Sequence, residues 1–260
     1  MNTSIIIPAR YASTRFPGKP LALLAGKAVL AWVVEIAKSV VSQIPNVTYH
    51  VATDDDRIKS FCDENHIPVI MTASDFETGT DRVMAAVNTL PLKPDFIINL
   101  QGDAPFTPAD FVVNIINAYH QNPSADIVTP VVQLSWSELD DLRESKKLTP
   151  FSGTTTIVDK YNRALWFSKN IIPAIRKEDR NQPFSPVYRH IGLYGYNRIA
   201  LEKYITLEIS PYEKLEGLEQ LRALENGMSI QAVVVDYKGR PAMTGIDSPE
   251  DLIRAEALLK

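Results

Sequence analysis

Ser4-Ile5-Ile6-Ile7-Pro8-Ala9-Arg10-Tyr11-Ala12-Ser13-Thr14-Arg15-Phe16-Pro17-Gly18-Lys19-Pro20 begins as an apolar β-branched run and continues into a loop that carries three cations. The run predicts a buried strand. Outward from it, Val47 to Ala52, Val69 to Met71, Phe96 to Leu100, Ile127 to Val132 and Ala232 to Val235 have the same strand character. Helical periods such as Ala28 to Val40 and Phe111 to Tyr119 lie between several of these runs. This β-α-β-α order predicts an α/β fold, a mostly parallel sheet with helices on both faces and a ligand site at the carboxyl ends of the strands. From about 136 to 186 the pattern loosens into charged and proline-containing segments, which read as an inserted arm or subdomain within a single 1–260 domain. The pattern then resumes with a strand over His190 to Tyr196, a helix over Leu215 to Glu225 and a closing helix over Pro249 to Leu259.

The bulk properties exclude several function classes. The chain has 260 residues, 45% of them hydrophobic and 22% charged, which is ordinary globular usage. A net charge of −4 argues against a broad nucleic-acid surface, because phosphate contacts need an excess of clustered Lys and Arg. Cys62 is the single cysteine, and the four histidines have no metal-ligand spacing with it. No cationic segment leading into an apolar one opens the chain, and no apolar run is long enough to span a bilayer. The expected location is the cytoplasm, with no nucleic-acid or membrane partner.

The first acidic residue in the chain is Glu35, so Arg10, Arg15, Lys19 and Lys27 have no anionic neighbour in sequence. In a chain of net negative charge, such a loop after the first strand marks an anion site, and Arg forks with a Lys point charge match a triphosphate. The alternative is a solvated loop whose cations pair with distant acids. The loop has neither the Walker spacing nor G-x-G-x-x-G, so a P-loop kinase and a typical dehydrogenase are both excluded.

Five other places could bear chemistry. Asp103 follows the strand Phe96 to Leu100 and faces the expected crevice, as a magnesium ligand or as a turn residue. Asp247 precedes Ser248-Pro249-Glu250-Asp251, which already supplies an N-cap, a first-turn proline and an acid, so Asp247 is not needed as the cap. Thr78-Gly79-Thr80-Asp81-Arg82 enters a helix, with donors for a phosphate or a base, or simply with a cap. The run His190-Ile191-Gly192-Leu193-Tyr194-Gly195-Tyr196 presents His190, Gly192, Tyr194 and Tyr196 on one strand face, which suits a sugar ring or a half-buried core strand. Glu216, Glu219 and Gln220 read as the polar side of a helix with the stripe Leu215, Leu218, Leu221 and Leu224.

Taken in order, Ala9-Arg10 through Pro20, Thr53-Asp54-Asp55, Gly79 to Arg82, Asn99-Leu100-Gln101-Gly102-Asp103, His190 to Tyr194, Leu218 to Arg222 and Gly245 to Asp251 resemble the CMP-sugar-acid synthetases. The resemblance spans nearly the whole chain and is strongest to the CMP-Kdo synthetase (3-deoxy-manno-octulosonate cytidylyltransferase) family. It implies a Rossmann-like fold of the nucleotide-diphospho-sugar transferase type and transfer of CMP from CTP to an acidic sugar with Mg2+, for lipopolysaccharide or capsule synthesis. Catalytic roles then fall to Arg10, Arg15, Lys19 and Asp103, and magnesium to Asp103 and Asp247. The nucleotide falls to Ala9, Arg10, Ser13, Arg15, Lys19, Thr78, Gly79, Arg82 and Gln101, and the sugar to Lys169, His190, Tyr194, Glu219 and Gln220. The resemblance also implies a homodimer formed through residues 136–186. A sugar-1-phosphate nucleotidyltransferase and a nucleotide-binding relative without turnover are the other readings. The chain departs from the family pattern at Phe76, Thr78, Ala104 and Lys169 and over Ser152 to Thr156. The changes at Ala104, Lys169 and Ser152 to Thr156 gather nearer the acceptor and leave Kdo and a close variant such as 8-amino-Kdo both open.

Overall fold

Ile5, Ile6 and Ile7 lie in strand β1 (Thr3–Pro8), all six of whose residues are buried. Their side chains alternate between two cores: Ile5 and Ile7 join one cluster, Ile6 the other. A strand apolar on both faces needs cover on both sides, which explains the unbroken β-branched run. The computed structural model describes residues 1–12, 15–76, 78–240, 242 and 245–259.

In chain order β1 is followed by β2 (Leu23–Leu24), β3 (Lys27–Ala28), α1 (Val29–Gln43), β4 (Val47–Thr53), α2 (Asp56–Glu64), β5 (Val69–Met71), α3 (Gly79–Thr89), β6 (Phe96–Asn99) and α4 (Ala109–Gln121). Next come β7 (Ile127–Ser135), α5 (Trp136–Leu148), β8 (Thr155–Val158), β9 (Ala164–Ser168), β10 (Phe184–His190) and β11 (Tyr194–Asn197). The chain closes with α6 (Arg198–Tyr204), α7 (Pro211–Glu216), α8 (Gln220–Glu225), β12 (Ile230–Val234) and α9 (Pro249–Ala257).

Ten strands form one sheet in the order β5-β4-β1-β6-β11-β7-β10-β8-β9, with β12 also on β7. The registers make β5, β4, β1, β6, β7, β12 and β8 run one way and β9, β10 and β11 the other, so the expected mostly parallel sheet is present. Residues from α1, α2 and α4 fill the cluster on one face, and residues from α3, α6 and α8 fill the cluster on the other. In α1 the buried set Val29, Leu30, Val33, Val34, Ala37 and Val40 follows the 3.6-residue period. Burying each large apolar side chain contributes about 1.5–3 kcal/mol.

Three expectations about elements need revision. The stretch His190 to Tyr196 is not one regular strand: His190 pairs with Val131 and Gly195 with Val128, so the register against β7 slips at 191–193. Two extra residues there make a bulge, with Leu193 N–H on the Ile191 carbonyl at 2.7 Å. The single helix over Leu215 to Glu225 is two, because Gly217 at φ +63° caps α7 in the left-handed conformation that glycine adopts without strain. Leu215 is consequently exposed, while Leu218 and Leu221 stay in the core. Residues 136–186, expected as an arm, supply α5, β8, β9 and the start of β10. β8 and β9 extend the main sheet, and α5 packs Trp136, Leu139 and Leu142 on Leu134 and Val187 in a small cluster of its own.

Candidate active site

The loops after β1 and β6 meet at the carboxyl end of the sheet, where ligands of open α/β sheets bind. Their approach is close: a Cβ on Gly102 would lie 2.6 Å from the Pro8 carbonyl oxygen, which leaves no room for a side chain. A cleft of about 460 Å³ opens there, lined among others by Ala9, Arg10, Arg15, Lys19, Thr78, Gly79, Gln101, Asp103 and Asp247. Ser13 lies outside the described residues.

Each polar group in this cleft is held from a defined direction. Arg10 donates to the carbonyls of Phe76 and Thr78, tying the loop after β1 to the entry of α3. Burial and the neighbouring Arg82 both lower the pKa of its guanidinium, an arrangement that favours an incoming anion. Thr78 is the N-cap of α3, in a reciprocal capping box with Asp81. The ammonium of Lys19 lies 2.5 Å from Asp103 Oδ2 and 3.3 Å from Asp247 Oδ1. Arg15 reaches the same Asp247 oxygen at 3.3 Å. Asp247 is brought there by backbone: Ile246 N–H donates to the Asp103 carbonyl at 2.8 Å, and buried Ile246 is anchored beside Leu24, Val29 and Ala255. Ser248 and Asp251 form the capping box of α9, which leaves the Asp247 carboxylate outside the cap, as the sequence predicts.

The loop cations do pair with distant acids, but those acids are the two carboxylates expected to hold metal. Two carboxylates converging on one cation fit a hard divalent ion that also takes phosphate oxygens and water. No cluster of three or more His, Cys, Asp or Glu ligands occurs among the described residues, so any such ion would depend on its substrate for further ligands.

A second cleft, of about 490 Å³, adjoins the first and shares Gln101, Glu219 and Asp247 with it. It is also lined by Lys169, His190, Tyr194 and Gln220, so all five residues expected to bind sugar converge there. A polar chain crosses the boundary. Gln101 Nε2 donates to Asn99 Oδ1 (3.3 Å), Asn99 Nδ2 to Thr80 Oγ1 (3.4 Å), and Thr80 Oγ1 to Glu219 Oε2 (3.1 Å). Burial raises the pKa of Glu219, against the opposing pull of the Thr80 hydroxyl. Tyr194 donates to Gln220 Oε1 at 3.0 Å, while the buried Gln220 Nε2 has no partner, leaving a donor for a ligand. His190 is buried in the cleft wall and its pKa falls to about 3, first through burial and then through Lys169. Its Nε2 meets Thr129 Oγ1 at 2.9 Å, and that hydroxyl donates to the Leu193 carbonyl, so the neutral ring carries its proton on Nε2.

A family model described as cytidylyltransferase matches residues 4–230. The chain belongs to that family. It is 43% identical over 260 residues to a 3-deoxy-manno-octulosonate cytidylyltransferase of Maricaulis maris (strain MCS10), covering 100% of this chain and 97% of the relative. It is 37% identical over 262 residues to an 8-amino-3,8-dideoxy-manno-octulosonate cytidylyltransferase of Shewanella baltica (strain OS195), covering 100% and 99%. The structure also resembles that of a CMP:2-keto-3-deoxy-manno-octonic acid synthetase complexed with CTP, with a TM-score of 0.84, 32% identity and coverage of 100% of this chain and 98% of that one.

Within this cytidylyltransferase site one expected nucleotide contact lies elsewhere. The Arg82 side chain is fully buried, donating to Thr72 Oγ1 at 2.6 Å and Asp54 Oδ2 at 2.9 Å, and it does not line either cleft. It braces α3 against the ends of β4 and β5, beneath Arg10. Gly153 and Thr154, in the stretch expected nearer the acceptor, line the second cleft, and so does Arg189, which was not expected there. The Arg189-His190 pair offered a signal, since a cation beside the candidate sugar-facing strand is costly to bury without a purpose.

Proposed function

We propose that the chain transfers the cytidylyl group of CTP to the anomeric hydroxyl of 3-deoxy-manno-octulosonate (Kdo) or its 8-amino variant, releasing pyrophosphate. The supporting observation is the pair of adjoining clefts that share Gln101, Glu219 and Asp247, one lined by loop cations and the other by polar and aromatic groups. In this reading the triphosphate lies along Arg10, Arg15 and Lys19, and Thr78, Gly79 and Gln101 face the nucleoside. The sugar lies against His190, Tyr194, Glu219 and Gln220, with its carboxylate towards Lys169. The anomeric hydroxyl attacks the α-phosphorus in line, the bond from that phosphorus to the oxygen bridging to the β-phosphate breaks as pyrophosphate departs, and the hydroxyl proton passes to solvent.

Catalysis then rests on positioning and charge stabilisation. Lys19 and Arg15 offset charge that grows on the leaving pyrophosphate. Asp103 and Asp247 would hold Mg2+, which when bound supplies Lewis-acid polarisation of the α-phosphate. With phosphate present, Lys19 can exchange its carboxylate partners for phosphate oxygens. The buried, neutral His190 orients and does not carry the proton, and no nucleophilic side chain is needed.

The reading places the protein in the cytoplasm, where CTP is available, and its product in lipopolysaccharide or capsule assembly. Among the described residues no helix is long and apolar enough to cross a membrane. It also includes a homodimer through residues 136–186, where Leu148, Phe151, Tyr161, Leu165 and Phe184 expose apolar surface.

Pyrophosphate release from CTP, measured with Mg2+ and with Kdo, 8-amino-Kdo, a neutral hexose or a hexose 1-phosphate, tests the reaction. Release is expected with a sugar acid only, and to stop when the metal is chelated. Release driven by the hexose 1-phosphate would assign the chain to a different acceptor class. CTP binding without release from any acceptor would make it a binding protein.

A further inference from the structure

Two cations, Lys169 and Arg189, and two acids, Glu219 and Asp247, line the acceptor cleft, and Asp247 already meets Lys19 and Arg15. Lys146, Lys169 and Arg189 lie within electrostatic reach: burial lowers the Lys146 pKa, and Lys169 and Arg189 lower it further. Lys146 has a structural task, donating to the carbonyls of Pro150, Ser152, Gly153 and Lys169. Glu216 is the carboxylate that acts on Lys146, and each of its oxygens already accepts a hydrogen bond. They accept from the Ser168 hydroxyl at 2.8 Å and the Lys169 backbone N–H at 2.7 Å. His190 adds no charge, and Tyr237, which Arg189 also influences, stays neutral because burial raises its pKa.

Arg189 stands out within this group. It sits on β10 between β7 and β8, opposite Val132 and Thr155, so its backbone is fixed by the sheet on both sides. It lines the acceptor cleft, its Nε–H is buried without a partner, and it has no ion pair among the described residues. An unpaired buried guanidinium N–H is costly unless a ligand satisfies it. A planar fork with parallel donors matches a carboxylate, whereas the Lys169 ammonium on the same cleft is only a point charge.

We propose that Arg189 is the specificity-determining residue of the acceptor site, its guanidinium holding the carboxylate of the sugar acid with Lys169 as the second cation. The inference rests on the sugar-acid reading above and deepens it. By fixing C1, Arg189 orients the neighbouring anomeric centre towards the shared boundary at Gln101, Glu219 and Asp247, and the cleft excludes sugars that lack the acid.

The test is a cycle of variant against acceptor, with Kdo and its C1 carboxamide as the probes. R189Q is expected to raise the KM for Kdo ten- to a hundredfold, to leave the KM for CTP within about twofold, and to reduce the wild-type preference for Kdo over the amide almost to none. R189K is expected to recover part of the loss, because it keeps the charge without the fork. A preference for the acid that survives undiminished in R189Q overturns the proposal. Should R189Q unfold, as read from its thermal midpoint, R189K carries the comparison: a KM for Kdo unchanged from wild type overturns it equally. Failure of the wild-type protein to use either sugar acid sinks the functional reading first and is visible before any variant is made. Equal use of an aldose 1-phosphate by the wild type would show that the cations serve a phosphate instead, and would also overturn the proposal.

Discussion

Asp103 shows how one side chain joins folding to chemistry. Its carbonyl holds Ile246 in place while its carboxylate meets Lys19. Asp103→Asn keeps the shape and the backbone bond, so turnover is expected to fall at least about a hundredfold while CTP affinity by calorimetry changes only a few-fold. Near-normal turnover in that variant would remove Asp103 from the proposed metal site. His190 makes a different prediction. Its pKa is depressed from 6.5 to about 3, so the unfolded chain takes up a proton that the folded chain refuses. The stability it contributes is full above about pH 6.5 and is lost as pH falls towards about 3, at up to about 1.4 kcal/mol per pH unit. Urea midpoints of wild type and His190→Gln measured from pH 7 to 4 should converge as the pH drops; parallel curves would mean that His190 is not held neutral. At this scale the sequence was legible where cleft-lining residues sit in contiguous motifs, as at Arg10, Lys19 and Asp103. It misplaced Arg82 because the fate of that side chain depends on Asp54 and Thr72, which only the packing of β4 and β5 brings beneath α3.

The α7–α8 pair carries part of the second cleft's wall, since Glu219 and Gln220 sit at the start of α8. Arg222 and Glu213 join the two helices through a buried double contact, Nε to Oε2 at 2.8 Å and Nη2 to Oε1 at 2.5 Å. Removing one partner strands a buried charge, so Arg222→Met should cost about 3–5 kcal/mol in urea unfolding, and pairing it with Glu213→Leu should recover much of that loss. A single-variant loss below 1 kcal/mol would show that the pair is not a buried brace. The helix break at Gly217 was present in the sequence as a glycine, yet the leucine spacing around it read as one continuous stripe. The bulge at 191–193 was hidden for a related reason: its two extra residues preserve the alternation that identifies a strand, and only the register against β7 exposes them. The bulge leaves the His190 and Tyr194 rings 5.4 Å apart and Gly192 on the cleft wall.

For the molecule as a whole, the alternation of strands and helices predicted the mostly parallel sheet with its site at the carboxyl ends. It could not predict that β11 inserts antiparallel between β6 and β7, because that pairing joins segments far apart in sequence. The apolar residues exposed over 136–186 predict a dimer: sedimentation equilibrium should give twice the chain mass, and Phe184→Asp should shift it towards the monomer. A wild-type monomer at micromolar concentration would contradict the shared interface. The central claim is that the two joined clefts bring a nucleoside triphosphate and a sugar acid together for a single transfer. Phosphorus NMR of CTP incubated with the protein, Mg2+ and either Kdo or 8-amino-Kdo tests it most directly. The expected result is loss of the triphosphate signals with the appearance of pyrophosphate and one phosphodiester; triphosphate signals that persist with both sugar acids would contradict it.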